Sequence, residues 1–299
     1  MEKNPDIEGE KIYEEKFKNL LSPENSYTFF LKMQFILPKY GKEPEKNYFN
    51  FVSFILRQLT KNNDLGSIES ILDLSLKIYK ENHNVIENPE FFVSRYHNIF
   101  KLLPVNVNKT AFKFSFLEYC DKSKVPEDLL YKHNIYLDYA NDSIENKYFI
   151  QGYRFAMKSK NIDLIFKEVN SVLNSSELCL NDIDKVYFIS RTCLEFLINK
   201  EIELAGKFIL KYIKNNDNYN VNHPIMNFVF VLTSFLSLKE STFEKYEELI
   251  KNYENVINKD NEFQKYLNFI SLKFFNKSLE KNNQGGLNFL NLLNMFSGN

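Results

Sequence analysis

Residues 88–104 read NPEFFVSRYHNIFKLLP. Asn88 followed by Pro89 is a helix start: the asparagine side chain can cap the first free amides, and the fixed proline φ suits the first turn. Behind it Phe91, Phe92, Tyr96, Ile99, Phe100 and Leu103 recur at helical spacing, and Pro104 closes the element. The pattern continues downstream. Pro126-Glu127-Asp128 opens a second helix with carboxylates at the positive end of its dipole, and Leu129, Leu130, His133, Tyr136, Leu137 and Ala140 form its stripe.

Between Pro126 and Pro224 there is no proline. Breaks are expected at polar clusters instead: Asn141 to Ser143, Lys160-Asn161, Asn174 to Ser176 and Asn199-Lys200. Links this short make consecutive helices antiparallel. Gly152, followed by Ala156, reads as a place where two helices approach closely. No run alternates at period two, so strands are not expected. The run IMNFVFVLTSFLSL, Ile225 to Leu238, falls short of the roughly 20 residues a bilayer span needs. It is predicted to be a helix buried on all sides, with Ile225, Phe228, Val229, Leu232 and Phe235 in the core. The expected fold is all-α, with about fourteen helices of roughly 13 to 18 residues each. Stacked as about seven antiparallel hairpins, they would form a right-handed α-solenoid. We read residues 1–299 as a single such domain, with N-terminal hairpins over 6–140 and C-terminal hairpins over 141–299.

Composition narrows the function. The net charge is −1, so no basic field of the kind that drives phosphate-backbone binding is present, and no nucleic-acid partner is expected. The 29 Phe and 18 Tyr read as compositional. Cys120, Cys179 and Cys193 are dispersed, which fits reduced thiols in a cytosolic protein. His83, His97, His133 and His223 form no metal-binding spacing, so no metal is expected. The first residues, MEKNPDIEGEKIYEEKF, carry no apolar run of a secretory signal. No direct membrane insertion is expected.

No phosphate loop, nucleophile elbow or kinase signature occurs, and we expect neither an enzyme nor a cofactor. Glu14-Glu15, Glu247-Glu248 and the Asp182/Asp184 pair fit helix surfaces and caps. Cys193, inside VYFISRTCLEFLI, reads as a buried structural thiol. A helical enzyme with a site assembled from distant residues stays open as an alternative. So does a helical-repeat scaffold of a vesicle-coat or proteasome-lid-like complex.

Residues 284–299, QGGLNFLNLLNMFSGN, place Gly285-Gly286 before Leu287, Leu290, Leu292 and Leu293. This resembles the ending of the Golgi-to-ER-traffic protein four family. The last helices, from His223 to Asn276, are similar in order and spacing, with Asn227-Phe228, Phe243, Tyr253, Tyr266-Leu267 and Phe274-Phe275. The hairpin YFISRTCLEFLINKEIELAGKFILKYIKN resembles the one before them. Near the N-terminus, SYTFFLKMQFILPKY, Ser26 to Tyr40, occupies the place of a tyrosine-rich motif, and the helix–turn–helix spacing of residues 46–81 follows it. The resemblance implies an α-solenoid adaptor that delivers tail-anchored membrane proteins. It implies contact with a targeting ATPase through Tyr27, Gln34, Tyr40 and Glu69. It implies contact with a ubiquitin-like or chaperone-scaffold protein through Tyr219, Leu287, Leu290 and Leu293. The family usually has an arginine where Gln34 stands, and Pro38 falls where its helix runs on. Tyr27 reads equally as an ATPase contact or a core tyrosine. The segment after the double glycine reads as a capping helix on the final hairpin, or as a grip on a partner.

Overall fold

The computed structural model describes residues 5–83, 86–176, 178–215 and 223–279. Among them are sixteen α-helices and two short 3-10 turns, and no strand. The chain packs as two compact units, Met1–Glu168 and Val169–Asn299.

The first unit holds α1 (Pro5–Phe17), α2 (Ser26–Tyr40), α3 (Glu45–Lys61), α4 (Leu65–Asn82), α5 (Pro89–Leu102), α6 (Thr110–Lys122), α7 (Glu127–Lys132), α8 (Ile135–Glu145), α9 (Phe149–Ser159) and the start of α10 (Ile162–Leu173). Helices α3 and α4 form an antiparallel hairpin. Tyr48 donates its hydroxyl to the carbonyl of Ser75, and Tyr79 donates to Glu45, so the partner position falls as the residue number rises. Gly41 lies at the turn into this hairpin, where a Cβ would stand 2.4 Å from the Ile78 side chain; only glycine lets the backbone pass.

Aromatic rings form the core of this unit. Tyr13 packs on Phe51 at 5.0 Å, Phe49 on Tyr96 at 5.0 Å, Tyr79 on Phe92 at 4.9 Å, Phe92 on Phe116 at 5.5 Å, and Phe100 on Tyr139 at 4.7 Å. Each such pair adds about 0.5–1.5 kcal/mol beyond the area it buries. The high Phe and Tyr content therefore has a structural use that the composition by itself did not disclose.

The second unit holds the rest of α10, then α11 (Asp182–Ile198), α12 (Ile202–Asn215), α13 (Pro224–Ser237), α14 (Phe243–Asn252), α15 (Glu254–Ile257) and α16 (Asn261–Phe275). Asn181 and Asp184 form a capping box at the start of α11, so this acidic residue is a cap, as read. Three polar ties bind α11 to the last helices. Arg191 Nε donates to Asp260 at 2.9 Å, Tyr187 donates to the Val256 carbonyl at 3.2 Å, and Tyr266 donates to Glu195 at 3.2 Å. Cys193 is buried within α11, and burial raises its thiol pKa.

Several boundaries agree with the sequence reading. The Asn88 side chain accepts from the Phe91 amide at 3.1 Å, and α5 begins at Pro89. Helix α9 ends at Lys160 in the left-handed conformation, and Asn161 caps α10. Glycine is scarce, so such positions fall to Asn63, Lys124, Asn134, Lys147, Lys160, Lys200 and Asn276.

Three readings need correction. The helix expected from Pro126 to Ala140 is broken at Asn134, whose left-handed φ of 54° separates α7 from α8. The break expected at Asn141 to Ser143 lies inside α8, because Asp142 and Ser143 are buried and bonded rather than solvated; the chain turns at Asn146 and Lys147 instead. Helix α13 is not buried on all sides. Ile225, Phe228, Val229 and Leu232 are fully buried, but Phe235 is half-buried and Ser234 and Ser237 are exposed. The helices also vary more in length than expected, from 4 residues in α15 to 18 in α4.

Gly152 does mark a close approach. A Cβ there would lie 3.1 Å from Ile144 and 3.2 Å from Glu168, while Ala156 one turn on is fully buried.

Candidate protein-binding face

Helix α2 is apolar on two opposite sides. Phe29, Met33 and Leu37 recur every fourth residue and are completely buried. Tyr27, Leu31 and Phe35 also recur every fourth residue, and they are 67%, 46% and 75% exposed. The first row anchors the helix in the unit. The second faces solvent, most fully at Tyr27 and Phe35, and Gln34 and Pro38 fall within the same strip by helical spacing.

Tyr27 is thus not a core tyrosine. Its ring lies 6.2 Å from that of Phe30 on its own helix. Phe35 carries the Lys39 ammonium over its ring at 5.6 Å. Gln34 is half-buried. Pro38 does not end the helix, which continues to Tyr40. Having no amide, it cannot donate to the carbonyl of Gln34, so that carbonyl lacks its helical partner on the open side. Leu31 and Phe35 were not singled out from the sequence. Their spacing was the available signal, but the identical spacing of Phe29, Met33 and Leu37 left the exposed row undetermined.

The other two residues assigned to this side are committed elsewhere. Tyr40 is half-buried, stacks on Phe51 at 3.8 Å, and accepts a hydrogen bond from Lys16 at 3.2 Å. Burial, with Tyr40 and Glu43 nearby, pushes the Tyr13 hydroxyl up to about 12. Glu69, on α4, accepts from the Asn108 amide at 2.7 Å and so ties down the loop before α6. Tyr27 and Gln34 share the α2 strip, whereas Tyr40 and Glu69 hold the surrounding structure. Tyr219, Leu287, Leu290 and Leu293 lie outside the described residues.

Among the described residues, no three His, Cys, Asp or Glu side chains gather as metal ligands. The buried Cys120 thiol is pushed up to about 12 by burial, the opposite of an activated nucleophile.

The family model for Golgi to ER traffic protein 4 matches residues 139–298, more than half of the chain. The chain belongs to this family. The matched segment includes the whole second unit up to residue 298 and the positions of Tyr219, Leu287, Leu290 and Leu293; the α2 strip precedes it. The fold likeness extends further. The crystal structure of Get4 from C. therm. superposes with a TM-score of 0.69, over 97% of this chain and 96% of that one, at 11% identity. At that identity the likeness establishes the fold, and with it the all-helical α-solenoid class of the family. Among curated proteins, no sequence matches this chain.

Proposed function

We propose that this protein is a cytosolic adaptor in the delivery of tail-anchored membrane proteins to the ER. In this reading the first unit binds the targeting ATPase through the open strip of α2. The second unit binds a ubiquitin-like or chaperone-scaffold protein. The protein performs no chemistry of its own; it tethers two partners and raises their effective concentration. Family membership supports the pathway. No helix among the described residues is long and apolar enough to cross a membrane, which is compatible with an adaptor that hands over clients without inserting.

The observation that carries the reading is the exposed row of Tyr27, Leu31 and Phe35 opposite a fully buried row on the same helix. A helix needs one apolar face to pack, and a second, solvent-facing one marks a binding surface. Burying each of these side chains against a partner would yield about 1.5–3 kcal/mol.

The test uses the purified chain, the purified ATPase dimer and titration calorimetry. Tyr27→Glu and Phe35→Ser should each weaken binding at least ~10-fold, equal to about 1.4 kcal/mol, with an unchanged melting temperature. Unchanged affinity in both variants would remove α2 from the interface.

A further inference from the structure

Helices α6 and α9 lie side by side in the first unit. Thr110 donates its hydroxyl to the Gln151 side-chain oxygen at 3.3 Å, and the Phe114 and Phe155 rings pack at 5.4 Å. The partner position rises with the residue number, so the two helices run in the same direction. Gln151 and Phe155 mark the row of α9 that meets α6. The next row outward is Ile150, Arg154 and Lys158, four residues apart, and all three are exposed. Tyr148, the residue that caps α9, stands at the start of these rows.

Apolar side chains from both helices reach solvent on this face: Phe114 is 41% exposed, Tyr148 40% and Ile150 45%. A single exposed apolar residue needs no explanation, but three on neighbouring elements form a patch. The charge beside the patch is of one sign. Helix α9 contains no aspartate or glutamate, and Lys147, Arg154 and Lys158 are exposed along it. Among the described residues, Lys147 and Arg154 have no ion-pair partner, and Lys158 has only the Tyr136 ring beneath it at 5.9 Å. On α6, Glu118 is exposed but already paired with Lys122 at 2.6 Å. This local excess of positive charge stands in a chain whose net charge is −1. An exposed arginine without a partner, beside aromatic and aliphatic side chains, is the composition of a binding hot spot.

We propose that the α6–α9 face docks an acidic amphipathic helix of a partner protein. The apolar stripe of that helix covers Phe114, Tyr148 and Ile150, and its carboxylates pair with Lys147, Arg154 and Lys158. The basic row extends about 16 Å at helical rise, or three turns of an opposing helix. Charge complementarity selects an acidic segment over a basic or neutral one. This surface lies on other helices than the α2 strip, so it stands or falls apart from the adaptor reading.

The probe is a fluorescent synthetic peptide of about 18 residues, with leucines at helical spacing on one face and glutamates on the other. Fluorescence anisotropy with the full-length chain should show saturable binding that weakens as salt is raised from about 0.1 to 0.5 M. The same peptide with lysines in place of the glutamates should not bind. Arg154→Glu and Ile150→Ser should each weaken binding at least ~5-fold with an unchanged melting temperature, whereas Tyr27→Glu should leave it unaltered. No binding, or equal binding of the two peptides, would overturn the proposal. So would loss of binding in Tyr27→Glu with none in Arg154→Glu, which would place the peptide on α2. Anionic phosphatidylserine vesicles that bind through Arg154 when the acidic peptide does not would assign the face to a membrane and overturn it as well. The comparison of the two peptides needs no substitution, so an unfolded variant does not remove the test.

Discussion

Lys113 Nζ lies 2.6 Å from the Asp142 carboxylate, and both side chains are almost completely withdrawn from solvent. Lys109, also buried, pairs with the other oxygen of the same carboxylate. The remaining donors are satisfied. Lys113 bonds the Ser143 hydroxyl at 2.8 Å and the Tyr139 carbonyl at 3.3 Å, while Lys109 reaches the Pro104 carbonyl at 3.2 Å and the Phe100 ring at 4.8 Å. Two cations and one anion join the start of α6 to the middle of α8. Removing the anion would strand both cations, which is far worse than never burying them. Asp142→Ala should therefore cost about 3–5 kcal/mol in urea unfolding at neutral pH. A loss below about 1 kcal/mol would show that water enters the site.

Glu168 is 1% exposed, and neither carboxylate oxygen has a hydrogen-bond partner among the described residues. Burial pushes its pKa up to about 7, opposed only by the nearby Lys167. Between its ordinary value, near 4.5, and 7 the folded state holds a proton that the unfolded state releases. Stability therefore falls as pH rises through this window and levels off above it. Glu168→Gln should be near neutral at pH 4 and should gain about 1–3 kcal/mol over the parent at pH 8. Equal effects at both pH values in urea titrations would refute the assignment.

The core of α13 is unequal along its length. Phe228 is fully buried and packs on Tyr253 at 5.2 Å, whereas Phe235 is half-buried. Phe228→Ala should cost about 3–5 kcal/mol, and Phe235→Ala clearly less, because its cavity opens to water. Thermal or denaturant melts of the two variants give the order directly; a reversed order would contradict the burial.

Lys147 holds a left-handed φ of 63° where the chain turns between α8 and α9. The conformation costs an L-residue about 1–2 kcal/mol, partly offset by the extra unfolded-state freedom of glycine. Lys147→Gly should raise stability by about 0.5–1 kcal/mol. A loss of stability would mean that the lysine side chain contributes more than its backbone strain costs.

Helix starts were legible in the sequence because a cap is a local event. Asn88 needs only the Phe91 amide three residues on. The polar turns at Lys160-Asn161 and Asn199-Lys200 were legible for the same reason. Asn141 to Ser143 looked identical in kind and was misread. Its polarity serves Lys109 and Lys113, which lie some thirty residues earlier and meet it only in the folded chain.

By itself, the sequence determined an all-helical chain, since apolar spacing and caps act within a few residues. The ending of the chain and the order of its last helices also carried the family resemblance. The working face was beyond it. Tyr27, Leu31 and Phe35 and their buried counterparts Phe29, Met33 and Leu37 have one spacing and similar chemistry. Only the packing of α2 against α3 and α4 decides which row is covered, because burial is a property of what lies opposite a side chain and not of the side chain itself.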